Sequence, residues 1–192
     1  KIDMAHPQTR VAKPGDIFLL LVPTAQELHH LRQQQTMLQA RYGGQMVPLL
    51  HITCQRFTAQ EEALEASCID IFKKELSDIQ PFTIYTDMLI QFFAPYWQKQ
   101  VLRWRVQETD EYASFRDRLD ATLKKTNCCS QFDRYRFATC TALNLENPIE
   151  LEENPPGFSF PAILFTAKEL LVSKLEDENQ FEILSTITLN VG

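Results

Sequence analysis

Twice in its first half the chain runs an apolar stretch of strand length into the same four residues, Thr-Ala-Gln-Glu, and then into a helical repeat. The first stretch is Asp16 to Val22 (DIFLLLV), set off by the Pro14-Gly15 turn. In Thr24-Ala25-Gln26-Glu27 the Thr hydroxyl can accept a backbone N–H of the first helical turn while the Glu carboxylate reaches back to the cap, a capping box. Leu28, Leu31, Leu38 and Tyr42 follow at helical spacing, and Gly43-Gly44 supplies a stop. The second unit repeats the order. Met46 to Phe57 (MVPLLHITCQRF) reads as extended, and Thr58-Ala59-Gln60-Glu61 opens a helix with Leu64, Cys68, Ile71 and Phe72 on one face.

The remainder is weighted towards strands. Phe82 to Ile90 and Val101 to Gln107 are strand-like; in the second, Leu102, Trp104 and Val106 alternate with Arg103, Arg105 and Gln107, as on a half-buried strand. Between them lies an aromatic-rich turn, Phe92 to Trp97. A third helix is expected from Glu111 to Lys125, with Tyr112, Phe115, Leu119 and Leu123 inward. Arg136 to Leu145 returns to a strand, and an acidic, proline-containing loop, Glu146 to Gly157, precedes another at Phe158 to Thr166. Glu169 to Leu175 and Phe181 to Leu189 read as a hairpin, with Phe181, Ile183, Ser185, Ile187 and Leu189 on one face. Strands outnumber helices, and neighbours at hairpin distance pair antiparallel, so the class is α+β. The 192 residues contain no clear linker and are read as a single domain over 1–192.

Composition narrows the function classes. At 44% hydrophobic and 23% charged residues the chain can build a packed core. Its net charge of −6 argues against binding extended DNA, which relies on many Lys and Arg contacts to phosphates, but leaves room for a cleft that takes one nucleotide. The longest apolar run, Ile17 to Val22, is far too short to cross a membrane, and the start shows no signal-peptide pattern. Five cysteines, an odd number without framework spacing, point to reduced thiols in a cytoplasmic setting. Cys128-Cys129 is not a ligand spacing and no histidine accompanies it, so neither a metal nor another cofactor is expected.

The chemistry concentrates at His51-Ile52-Thr53-Cys54. On a strand, His51, Thr53 and Gln55 point one way and Ile52 and Cys54 the other, giving the polar face that a wet cleft needs. An imidazole titrates near neutrality, and a hydroxyl two residues on can hold a phosphate oxygen. A second segment, Phe137-Ala138-Thr139-Cys140, shares the Thr-Cys pair, with Thr139 86 positions after Thr53. Tyr135, Phe137, Thr139 and Thr141 share a face by alternation. Cys54 and Cys140 fall on the opposite, core side and read as small buried fillers.

With these two segments, each on a strand in its own half, the sequence resembles the 2H phosphoesterase superfamily, which includes 2′-5′ RNA ligase-like proteins and cyclic phosphodiesterases. The family is named for two H-x-T/S motifs in a pseudo-twofold fold. The resemblance implies a bilobal α+β fold of antiparallel sheets around a central cleft, with helices outside. It further implies metal-independent chemistry in which two imidazoles act as base and acid on a 2′,3′-cyclic or 2′-5′ phosphodiester while two hydroxyls hold the phosphate. Carried over, His51 is the catalytic histidine and Thr53 and Thr139 bind phosphate. Gln55, Tyr135, Phe137 and Thr141 line the cleft. Phe137 stands where the second histidine would be and cannot transfer a proton; Tyr135, with an ordinary pKa of about 10, is a reluctant acid.

Three functions follow from that departure. The first is a degenerate member that binds a nucleotide or RNA end with weak or no hydrolysis. The second is a working cyclic phosphodiesterase using His51 as its main acid–base group, with water or Tyr135 in the second role. The third is an interaction domain that keeps only the scaffold. Among accessory residues, Arg103 and Arg105 read first as a solvated face and second as phosphate contacts. Arg56 should alternate away from His51, His29 and His30 should face solvent, and Tyr96 and Trp97 form either an aromatic lid or a packed turn.

Overall fold

The computed structural model describes residues 11–58, 62–126, 128–130, 138–177 and 180–190. The first strand, β1 (Ile17–Val22), is buried along its whole length. Thr24 then caps α1 (Ala25–Tyr42): its hydroxyl accepts from the Glu27 N–H at 3.3 Å and its own N–H donates to Glu27 Oε1 at 3.3 Å, so the capping box forms. The helix ends at Gly43, whose N–H donates to the Gln39 carbonyl. Gly44, at φ +82, passes so close to Asn144 that a Cβ would collide with that residue's carbonyl oxygen.

The chain continues through β2 (Gln45–Met46), β3 (Ile52–Thr58), α2 (Glu62–Leu76), β4 (Phe82–Ala94) and β5 (Lys99–Val106). It then forms α3 (Asp110–Lys124), β6 (Cys129–Ser130), β7 (Thr139–Leu145), β8 (Ala162–Ala167), β9 (Glu169–Asp177) and β10 (Gln180–Thr188). Among the described residues these strands make one ten-stranded sheet in the order β10-β9-β1-β3-β7-β5-β4-β8, with β2 on β7 and β6 on β3. Every pairing is antiparallel. The fold is therefore α+β, with three helices against a curled antiparallel sheet. The second capping motif, Thr58 to Glu61, falls partly outside the described residues.

The sheet's two faces differ. All three helices bury their apolar stripes on one of them: Leu31 and Leu38 of α1, Cys68, Phe72 and Leu76 of α2, and Tyr112, Phe115, Leu119 and Leu123 of α3 join Leu19, Ile52, Trp104, Cys140 and Phe165 in one core. Fully burying each such side chain contributes roughly 1.5–3 kcal/mol, so this face sets the register of the central strands. The other face carries a smaller apolar cluster, Phe18, Leu20, Val22, Leu171 and Leu175, with Leu49, Trp97 and Phe181 packed against it.

Bulges redirect several side chains. In β10 the register shifts between Ile183 and Ser185, so strict alternation fails. Ile187 and Leu189 reach the helix-side core and Phe181 the opposite cluster, whereas Ile183 is exposed, in place of the single shared face expected. Among the described residues no helix is long and apolar enough to cross a membrane.

Candidate functional site

The two motif strands are neighbours at the middle of the sheet. β3 meets β7 at Ile52↔Cys140, both side chains buried in the helix-side core. Continuing that antiparallel register sets His51 beside Thr141 and Thr53 beside Thr139, on the face away from the helices. β5 lies on the far side of β7, with Arg103 opposite Thr141 and Arg105 opposite Thr139. His51, Thr53, Thr139, Thr141, Arg103 and Arg105, all half-buried, thus come together on one face.

His51 is held from below by a short network. Its Nδ1 lies 2.8 Å from the Leu49 carbonyl oxygen. A carbonyl only accepts, so Nδ1 carries the proton and Nε2 is the lone-pair nitrogen of the neutral ring. The loop bearing Leu49 is itself pinned by α1: Arg32 donates to the carbonyls of Val47, at 2.8 Å, and Pro48. The buried Gln35 amide donates to the Val47 carbonyl at 3.0 Å and to the Ala142 carbonyl at 2.8 Å, so one side chain bridges the approach to His51 and the strand of Thr139. Phe181 packs edge-on against the imidazole, with centroids 5.9 Å apart.

Desolvation disfavours the imidazolium and lowers the His51 pKa from its ordinary 6.5 to about 4; the Leu49 hydrogen bond works against the fall and the positive charge of Arg103 adds to it. At neutral pH the ring is uncharged. The thiols of Cys54 and Cys140, buried on the core side, are pushed up to about 12 by desolvation, which leaves them protonated and inert.

Arg103 is the cation that sequence reasoning undervalued. Its Nη1 donates to Thr139 Oγ1 at 3.0 Å, and its guanidinium lies 4.9 Å over the Phe92 ring. Instead of a solvated face, β5 gives the groove a positive charge fixed to one of the motif hydroxyls. Arg105 pairs in two-toothed fashion with Asp87, at 2.8 and 2.9 Å, so much of its charge is already answered. The local sequence shows only alternation; that Arg103 meets Thr139 follows from the non-local β5–β7 pairing.

A bulge corrects two expectations about β3. Leu19 pairs with Gln55 but Leu20 with Thr53, so Cys54 is an extra residue and the faces exchange after it. Gln55, expected to line the cleft with His51, turns to the helices and donates to Asp120 of α3 at 3.2 Å. Arg56, expected to point away, comes to the His51 side instead. It is fully buried there, 3.9 Å from Asp16 and 4.2 Å over the Tyr96 ring. Trp97 stacks on Phe18 at 5.9 Å and meets Phe181 edge-on at 6.3 Å, so it belongs to a packed turn. His29 and His30 are exposed, each beside the Gln four residues on. Tyr135 and Phe137, with Arg134 and Arg136, lie outside the described residues. Among the described residues no three His, Cys, Asp or Glu side chains converge as metal ligands would.

This architecture is a LigT-like fold, shared with solved structures of low sequence identity. A crystal structure of a phosphoesterase superposes with a TM-score of 0.65 at 14% identity, covering 93% of this chain and 99% of the other. LigT of E. coli, complexed with 3′-AMP, gives 0.64 at 18% identity over 92% of this chain and 99% of its own. TT0787 of Thermus thermophilus gives 0.62 at 14% identity over 91% of this chain and 97% of its own. No protein-family model matches the chain, and neither does any curated protein sequence.

Proposed function

We propose that the groove binds a nucleotide or an RNA end through its phosphate and that hydrolysis there is weak or lost. The observation that carries this reading is the meeting of Arg103 and the Thr139 hydroxyl, 3.0 Å apart, on the same face as His51 and Thr53. A fixed guanidinium beside two hydroxyls suits a phosphate, which accepts charge-assisted hydrogen bonds from the first and neutral ones from the others. E. coli LigT, which shares the fold, has been solved with phosphate, 3′-AMP, ATP and NADP+.

Weak chemistry follows from the proton transfers that the site can support. With a pKa of about 4, the His51 imidazole is uncharged at neutral pH but has lost much of the basicity that a general base uses. As a general acid it is worse placed, since almost none is protonated. Phe137, where the family resemblance implies a second imidazole, can supply neither role. Losing one acid–base group lowers rate by about 10²–10⁴.

A second reading, a one-histidine cyclic phosphodiesterase, is favoured by one feature: Leu49 holds the Nδ1 proton and leaves Nε2 as a ready acceptor. Turnover of 2′,3′-cyclic nucleotides by the parent and by His51→Ala separates the two. Little or no turnover in the parent, together with measurable nucleotide binding, is expected. Robust turnover that disappears in His51→Ala would replace the binding function with the catalytic one, and absence of both turnover and binding would leave only a scaffold.

A further inference from the structure

Two free thiols meet where the chain leaves α3 and turns back beside α2. Cys68, on the inner face of α2, is 2% exposed, and its thiol is hydrogen-bonded to that of Cys128. Cys128 directly precedes β6 and is half-buried, packed against the same core. Thr126 fixes the turn that carries it. The Thr126 hydroxyl donates to the Leu123 carbonyl at 2.6 Å, in the last turn of α3, and accepts the Cys128 N–H at 3.2 Å. The same hydroxyl is hydrogen-bonded to the Cys68 thiol, so the backbone at 128 and the side chain at 68 share one anchor. Cys54 and Cys140 are placed differently: both lie buried in the core, and the Cys54 thiol is hydrogen-bonded to the Tyr112 hydroxyl.

We propose that Cys68 and Cys128 form a reversible modification site, a dithiol that hydrogen peroxide oxidises to an intramolecular disulfide. An S–S bond is about 2.05 Å long, so two thiols already in hydrogen-bonding contact have only the remaining gap to close. Cys128, the thiol with access to solvent, reacts first. Its sulfur takes one peroxide oxygen as the O–O bond breaks, which gives a sulfenic acid and one water. The Cys68 sulfur then attacks the Cys128 sulfur and the S–O bond breaks. The departing hydroxide takes the Cys68 proton and leaves as a second water. Two thiols thus give up two electrons and two protons, and one peroxide is reduced to two waters. Burial, with the hydrogen bond to Cys128 adding to it, pushes the Cys68 thiol up to about 12, so it stays protonated and acts as the resolving partner. The bridge encloses β4, β5 and α3 and ties α2 to β6, which pairs with the end of β3 through Phe57↔Ser130 and Thr58↔Cys129. Closing that loop removes freedom from the unfolded chain, so the oxidised protein is the more stable form.

The test treats the fully reduced, folded protein with hydrogen peroxide, blocks the remaining thiols and maps tryptic peptides by mass spectrometry. Cys68 falls in the peptide spanning 57–73 and Cys128 in that spanning 126–134, which also contains Cys129. The expected product is the two peptides joined with loss of two hydrogens and separated again by dithiothreitol. Cys129→Ser should form the same bridge, and Cys128→Ser should not. Cys68→Ala, which keeps a small apolar side chain in α2, should stop at a sulfenic acid on Cys128 that dimedone traps. The unfolding midpoint of the oxidised parent should lie about 5–15 °C above that of the reduced form. Peptides that stay unlinked in the folded parent, or that link only after unfolding in urea, would overturn the proposal. So would a bridge that survives in Cys128→Ser, one that fails in Cys129→Ser, or a midpoint that falls on oxidation.

Discussion

Lowering the pH should destabilise the protein through a single side chain. The structure holds His51 half-buried, with its pKa lowered from 6.5 to about 4 by desolvation and by the charge of Arg103. In the unfolded chain the ring protonates near its ordinary value. Between the two pKa values the unfolded state binds the extra proton, so stability rises with pH there and is lost as pH falls below about 6.5. At about 1.36 kcal/mol per pH unit of difference between the states, the most this group can withdraw is about 3 kcal/mol. From about pH 7 to about pH 4.5 the loss is about 2 kcal/mol. His51→Gln retains a polar side chain of similar size and has nothing to titrate. Urea unfolding of parent and variant at both pH values cancels the carboxylates common to the two, and the parent should lose about 2 kcal/mol more than the variant. Proton NMR of the His51 ring should place its midpoint near 4. A midpoint at about 6 or above, or parallel pH profiles for the two proteins, would refute the desolvation argument.

Three further outcomes follow from particular contacts. Asp16→Ala removes the carboxylate beside the fully buried Arg56 and should cost about 3–5 kcal/mol, read as a fall in denaturation midpoint; a change within about 1 kcal/mol would show that the pair is dispensable. Gln35→Met removes the amide that joins the Val47 and Ala142 carbonyls and should cost about 1–3 kcal/mol in the same assay, with a wild-type midpoint counting against the bridge. Phe137→His restores an imidazole at the position that the family resemblance assigns to the second one. Turnover of a 2′,3′-cyclic nucleotide should rise by about 10²–10⁴ over the parent, and a folded variant with no gain would show that the missing ring is not what limits the chemistry.

Much of this fold could be read from the chain because its signals are local. The Thr24 capping box, the apolar run of β1 and the alternation in β5 each specify an element within a few residues, and each element forms where its pattern lies. The placing of the motif residues was legible in part: His51 directly precedes the strand that carries Thr53, and Thr139 belongs to the strand paired with it. What the sequence hid depends on distant partners. The bulge at Cys54 arises where β3 must satisfy β1 and β7 together, and it exchanges Gln55 for Arg56 on the groove side. Arg103 reads as an ordinary exposed charge until β5 is laid against β7. The role of Gln35 is likewise invisible in α1, since its two acceptors lie 12 and 107 residues away.

The most direct test of the central claim is an NMR titration with 3′-AMP that follows the His51 ring and the methyl groups of Thr53, Thr139 and Thr141, with Thr139→Val and Arg103→Gln alongside. Saturable shifts at those groups, weakened about tenfold or more in Arg103→Gln by loss of a charge-assisted contact, are what a phosphate-binding groove predicts. Undiminished affinity in both variants, or shifts confined to the separate pocket between the α2–β4 loop and α3 around Phe82, Ser114 and Arg118, would contradict it.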